Sequence, residues 1–216
     1  MDDFAPEGPS FGNYGLTDPF NRHFDYGRSD DDIAHQFHFS GVWQIPHLSV
    51  TGPANSLLNG WEFTGILTWR GGFPLSIYSG LDNSFSAQGQ DRADLIKSGN
   101  PQLSSGRSHG AQVAEFFDTT FFGSNAIGTY GSSGKNNLRG PRMSNVDASL
   151  LKRFSITERF ALQFRAEFFN LFNNVNFAPP QTGLLAIDNI QSDGSFGQIL
   201  AAGAPRTIQF ALKLIY

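Results

Sequence analysis

No cysteine occurs anywhere in the 216 residues. That removes disulfides and thiolate-ligated metal centres, and leaves the compartment open. Long hydrophobic runs are missing too: nothing approaches the roughly 18 consecutive apolar residues of a membrane helix. The opening MDDFAPEGPSFGNYG has neither the basic n-region nor the apolar h-region of a secretory signal. Basic charge is scarce, with 15 Lys and Arg against 19 Asp and Glu, a formal net charge of −4, so no electrostatic footprint for nucleic acid exists. The mean hydropathy of −0.26 reads at first as water-soluble. It does not exclude a transmembrane barrel, in which half of each strand faces the lumen and loops are long. What is abundant is phenylalanine, 22 residues, and glycine, 24, a Phe-heavy and turn-rich chain.

Five segments alternate apolar and polar residues with the period of two that a strand imposes. In RTIQFALKLIY, Ile208, Phe210, Leu212, Leu214 and Tyr216 share one face, and Thr207, Gln209, Ala211 and Lys213 the other. In IAHQFHFSGVWQI, Phe37, Phe39, Trp43 and Ile45 oppose Gln36, His38, Ser40 and Gln44. In GWEFTGILTWRGGFPLSIYS, Trp61, Phe63, Leu67, Trp69, Phe73, Leu75 and Ile77 oppose Glu62, Thr64, Thr68, Arg70 and Ser76. Pro74 would damage a central strand, so a bend is expected at Gly71-Gly72, with the membrane part before it. In SNVDASLLKRF, Val146, Ala148, Leu150 and Phe154 oppose Asn145, Asp147, Ser149 and Arg153. In RFALQFRAEFF, Phe160, Leu162, Phe164, Ala166 and Phe168 oppose Arg159, Gln163, Arg165 and Glu167. The predicted strands are 33–46, 60–79, 143–154, 158–170 and 206–216.

Alternation alone fits a soluble sandwich, with its polar face in water, as well as a barrel with its apolar face in lipid. Connection lengths separate the two. The link between Phe154 and Arg159 is tight, whereas about sixty residues separate the second and third strands and another long Gly/Asn/Pro-rich stretch spans 170–205. Long structureless loops are uncommon in compact soluble domains, and barrels carry long outer loops and short periplasmic turns. With a periplasmic C-terminus the long and short connections alternate as required, except that 46–59 exceeds a normal periplasmic turn. Eleven residues at ~3.3 Å span about 36 Å, which tilted by about 40° covers roughly the apolar band of such barrels. Trp43, Trp61, Phe154, Phe160 and Tyr216 then form a periplasmic aromatic girdle on the outward face. Five strands cannot close a barrel, whose smallest single-chain form has about eight. The expectation is therefore an all-β chain forming the C-terminal part of an antiparallel transmembrane barrel with long extracellular loops. Alone in water, such a piece is expected to aggregate through its open edges and bare apolar face.

The motifs NGWEFTGILTWRGGFPLSIYSG, GTYGSSGKNNLRGPRMSNVDASLLKRFSITERFALQFRAEFFNLFNNVNF and RTIQFALKLIY together resemble the C-terminal barrel of a TonB-dependent outer-membrane receptor of the Oar-like group. The resemblance implies a barrel of about 22 strands in the bacterial outer membrane, an N-terminal plug, and energising by an inner-membrane TonB coupling complex. Residues 1–216 would be part of that barrel, without plug or signal peptide. It also implies that Ile208, Phe210, Leu212, Leu214 and Tyr216 form the signal read by the barrel assembly machinery. The expected partners are outer-membrane lipid, that machinery, the rest of the receptor and the coupling complex, and no nucleic acid. The ligand is not legible. The alternative is a soluble β-sandwich binding module, with carbohydrate as the candidate ligand, using aromatic loops such as AEFFDTTFF at 114–122.

Motifs with possible chemistry reduce to structural readings. Gly106-Arg107-Ser108-His109-Gly110 matches a nucleophile elbow, but no apolar strand precedes it. GSSGKNN lacks the first glycine and the Ser/Thr of a phosphate loop, having Thr129 and Asn136 there. His35 and His38 point to opposite faces of a strand and cannot chelate together. Asp30-Asp31-Asp32 reads as a solvated acidic loop end. No catalytic residue, cofactor site or metal site is expected, and the chain is not expected to be an enzyme. On the polar face, a three-residue turn at 155–157 would place Asp147 beside Arg165 and Leu150 beside Leu162, a structural ion pair on the lumen wall.

Overall fold

The computed structural model describes residues 17–18, 20–86, 91–183 and 194–216. The opening residues read for a signal, 1–15, lie outside these. The chain divides into two compact units. The sheet unit comprises His35–Arg70, Met143–Asn176 and Gly203–Tyr216; the inserted unit comprises Met1–Ala34, Gly71–Arg142 and Phe177–Ala202.

The sheet unit is one antiparallel meander in the order β1 (Gln36–Gln44), β2 (Trp61–Arg70), β7 (Met143–Ser155), β8 (Ala161–Phe169), β9 (Thr207–Ile215). These are the five predicted strands, four of them with trimmed ends and the third extended by one residue to Ser155. The 60–79 segment stops as a sheet strand at Arg70, at the expected bend. Glycine is required there: a Cβ on Gly72 would sit 1.8 Å from the Gly140 carbonyl oxygen. The short connections leave one end of the sheet. Residues 46–59 carry the helix α1 (Pro53–Leu58), and 156–160 close the second hairpin. Both long insertions, after Arg70 and after Phe169, leave from the other end.

The long connections expected between the strands are present, but they are not structureless: they form the inserted unit. Its short strands β3 (Pro74–Leu75) and β6 (Leu138–Arg139) pair, as do β4 (Asp94–Leu95) and β5 (Phe122–Gly123). A second helix, α2, spans His109–Ala114. Ile77, Ala93, Phe116, Phe117, Phe122, Leu138 and Ile199 form a buried cluster, with Phe196 packed against it. Phe117 meets Phe122 and Phe196 edge to face at 5.7 and 5.3 Å between ring centroids. The long connections are rich in Gly, Asn and Ser, yet they contain enough Phe to bury, and that burial offsets the entropy of ordering them.

Polar residues complete this unit. Arg92 and Asp25, both buried, bond at 3.1 Å. The GSSGKNN loop is held by its buried residues: Asn136, at φ 53°, donates its side-chain amide to the Arg28 carbonyl and the Asp30 carboxylate and receives the Ser76 hydroxyl. Asp32 pairs with Arg139. The acidic run is therefore tied into the fold at Asp30 and Asp32 rather than solvated throughout, because the inserted unit brings its partners from over a hundred residues away.

Candidate membrane-facing surface

Register places most of the apolar residues of all five strands on one face. Across the sheet, Trp43 lies opposite Phe63, which lies opposite Leu150; Leu150 lies opposite Ala166, and Ala166 opposite Phe210. Similar rows join Phe39, Leu67 and Val146, and Phe154, Leu162 and Leu214. Where glycine interrupts the face, a neighbouring ring covers it: the Phe63 ring lies 3.4 Å from where a Gly65 Cβ would stand.

This face is open. Phe37, Phe39, Trp43, Phe63, Trp69, Ile208, Phe210, Leu212, Leu214 and Tyr216 are all exposed. The only apolar residues buried in the sheet unit, among those described, are Ala148, Ala161 and Ala166. Fully burying such a large side chain is worth about 1.5–3 kcal/mol. Even at half that value, ten such residues in water forgo on the order of 10 kcal/mol. That rivals the whole stability of a domain, about 5–15 kcal/mol. An apolar solvent on this face removes the deficit.

The opposite face carries Gln36, His38, Gln44, Glu62, Arg70, Asn145, Asp147, Arg153, Gln163, Arg165, Glu167, Gln209 and Lys213 in alternation, relieved by Val42, Ile66, Met143, Leu151, Phe169 and Ile215. Asp147 and Arg165 both lie on it, but the expected pair does not form. The hairpin connection is five residues long, pairing Ser155 with Ala161, so Arg165 stands opposite Leu151 and Ala211. Thr157 shapes that connection, its hydroxyl receiving the amides of Arg159 and Phe160 at 3.3 and 3.1 Å. The odd loop length preserves the facing of even residues against even ones, as parity demands. Charge complementarity, which favoured the shorter loop, is the weaker force: an exposed ion pair is worth about 0–1 kcal/mol. Asp147 instead accepts the Asn170 amide at 2.8 Å and the Asn145 side chain at 2.9 Å, and Arg165 reaches Glu167 at 3.5 Å. Leu150 faces Ala166 rather than Leu162.

The five girdle candidates gather at one end of the apolar face. Trp43 is the penultimate residue of β1, Trp61 opens β2, Phe154 is the penultimate residue of β7, Phe160 precedes β8 and Tyr216 follows β9. The proposed assembly-signal residues of β9 pair with β8 on one side only, Ile208 opposite Phe168 and Leu212 opposite Phe164. Among the described residues, no strand pairs with the outer edges of β1 and β9.

One residue of this face escaped the sequence reading. Lys152 has the parity of Leu150 and Phe154, so it lies on the apolar face, between Trp61 and Phe164 in the register. It is 0 % exposed. Its ammonium stands 5.1 Å from the Trp61 ring centroid and 4.9 Å from that of Phe154, and it donates to the Asn59 carbonyl. A lone cation on a lipid face costs about 2–4 kcal/mol at mid-membrane but only about 0–1 near the interface. Its place at the strand end, with ring faces and a carbonyl around the charge, makes it tolerable. Strict parity counting is the signal that finds it.

The remaining motifs have structural uses. Ser108 caps α2, its hydroxyl receiving the Ala111 amide at 3.3 Å, and His109 packs edge-on against Phe177. Phe116, Phe117 and Phe122 of the aromatic loop are core, which removes the exposed platform a sandwich lectin would need. His38 bonds Thr68 across the strands. No group of three potential metal ligands occurs among the described residues.

No helix among the described residues is long and apolar enough to span a membrane. Neither a curated protein nor a solved structure matches the sequence. A family model described as an outer membrane beta barrel domain matches residues 1–209. With that match over an alternating, outward-apolar antiparallel sheet, the chain belongs to the outer membrane β-barrel family and resides in the bacterial outer membrane.

Proposed function

We propose that this barrel wall serves ligand uptake by a TonB-dependent receptor of the Oar-like kind. The observation that carries the reading is the inserted unit. Passive barrel walls need only loops at their outer end, whereas here both long insertions contribute to a unit with its own aromatic core and buried Arg92–Asp25 pair. A cored unit of that size offers a preorganised platform for capturing a ligand. The sequence motifs that resemble such receptors run through both units. In this reading the polar face lines the lumen around a plug. Ile208, Phe210, Leu212, Leu214 and Tyr216 present the assembly signal, and Trp43, Trp61, Phe154, Phe160 and Tyr216 sit at the periplasmic boundary. Uptake chemistry is non-covalent throughout, and no catalytic role is assigned.

The test is cross-linking in cells followed by isolation of the protein from the outer-membrane fraction. A TonB-type coupling protein should co-purify, and its loss should abolish energy-dependent accumulation of the ligand. Recovery of folded protein from the outer membrane with no coupling protein attached would leave the barrel standing and remove the uptake reading.

A further inference from the structure

The connection from β1 to β2 is much longer than its ends require. Gln44 pairs with Glu62, and the Ile45 amide bonds the Trp61 carbonyl at 2.9 Å, so a short hairpin loop would suffice. Residues 46–59 contain no Asp, Glu, Lys or Arg. Leu48, Leu57 and Leu58 are 54, 61 and 45 % exposed. The segment is nonetheless tied down. Buried Asn59 clamps the Leu48 backbone at 2.6 and 2.9 Å and bonds the Asn55 side chain at 2.6 Å. The Trp61 indole donates to the Leu57 carbonyl at 3.0 Å, and Lys152 donates to the Asn59 carbonyl. Both of these donors belong to the apolar face, and both lie at the end where its aromatic residues gather.

We propose that residues 46–59 form a membrane-interface anchor. Its leucines seat in the boundary between headgroups and acyl chains, and Lys152 and Trp61 latch it to the lipid-facing side of the sheet. The occupant is lipid rather than protein because the segment continues the exposed apolar face of the sheet, at the level of Trp43 and Trp61, in a chain of an outer-membrane barrel family, and has no Asp, Glu, Lys or Arg to steer a protein partner. The inference rests on that reading of the sheet face, and the experiment separates the two.

Because the chain lacks cysteine, single-cysteine variants accept one environment-sensitive dye each. Leu57→Cys reports the anchor, Leu212→Cys the sheet face, and Glu158→Cys the other short connection. Each full-length protein is assembled into vesicles of phosphatidylethanolamine and phosphatidylglycerol containing nitroxide-labelled lipids. The Leu57 dye should be quenched by a shallow nitroxide at least about twofold more than the Glu158 dye. The Leu212 dye should respond most to a deep nitroxide. Lys152→Met and, separately, Trp61→Phe should lower Leu57 quenching by about twofold while leaving Leu212 unchanged. The Trp61 variant keeps an aromatic ring and serves if the Lys152 variant fails to assemble. A Leu57 dye quenched only by aqueous iodide, with Leu212 still quenched by lipid, overturns the anchor and spares the membrane face. Protection of Leu57 from both quenchers means protein covers it, and also overturns the proposal. Absence of lipid quenching at Leu212 overturns both readings.

Discussion

Phenylalanine does opposite things in the two units. In the inserted unit Phe116, Phe117 and Phe122 are buried; in the sheet unit Phe37, Phe39, Phe63 and Phe210 point outward and are exposed. Charge is arranged inversely as well. The inserted unit buries Arg92 against Asp25, while the sheet keeps nearly all its charges on the face opposite the rings. One chain thus obeys two solvents. In the inserted unit the core rings turn inward, as a water-facing fold requires, although Phe20 and Phe85 stay exposed; in the sheet, rings turn outward, as lipid permits, and the polar side chains collect behind them.

That contrast can be broken by experiment. The largest effect is expected at Phe117, which is 0 % exposed. Phe117→Ala should cost about 3–5 kcal/mol. Hydrogen exchange should show lost protection at Ala93 and Ser133, whose amides are bonded inside the inserted unit, with β8 amides unchanged. Equal loss in β8 would mean the two regions do not open separately.

A smaller effect tests the lipid side. Phe210→Arg should destabilise the barrel in bilayer vesicles by about 2–4 kcal/mol near mid-membrane. The neighbouring Gln209→Arg, on the other face, should stay within about 0.5 kcal/mol. Denaturant titration in vesicles measures both, and equal costs would show that the faces do not see different solvents.

The smallest concerns the lumen-side register. A double-mutant cycle of Asp147→Ala and Arg165→Ala should return a coupling below about 0.5 kcal/mol, because the residues share no partner. Asp147→Ala alone should cost about 1–3 kcal/mol through the Asn170 amide it leaves without that acceptor. A coupling well above this bound would restore the three-residue turn.

The strands were legible because a sheet with unlike solvents on its faces writes its period of two into every segment, from Phe37 to Leu214. The bend at Gly71-Gly72 was legible for the same local reason, since Pro74 cannot continue a central strand. The inserted unit was not. Its cluster joins Ile77, Phe117 and Ile199, which lie far apart in sequence, and no local period announces such contacts. The Asp30 and Asp32 partners, Asn136 and Arg139, were hidden by the same distance.

By itself, then, the sequence determined the five strands, the face each side chain takes and the alternation of long and short connections, all consequences of backbone geometry acting over a few residues. Tertiary structure alone decided the hairpin register, set by the Thr157 turn rather than by charge. It also decided the folding of the long connections around shared phenylalanines, and the cover over Lys152. Each of those depends on which distant groups come within bonding distance, and that is settled only when the chain has packed.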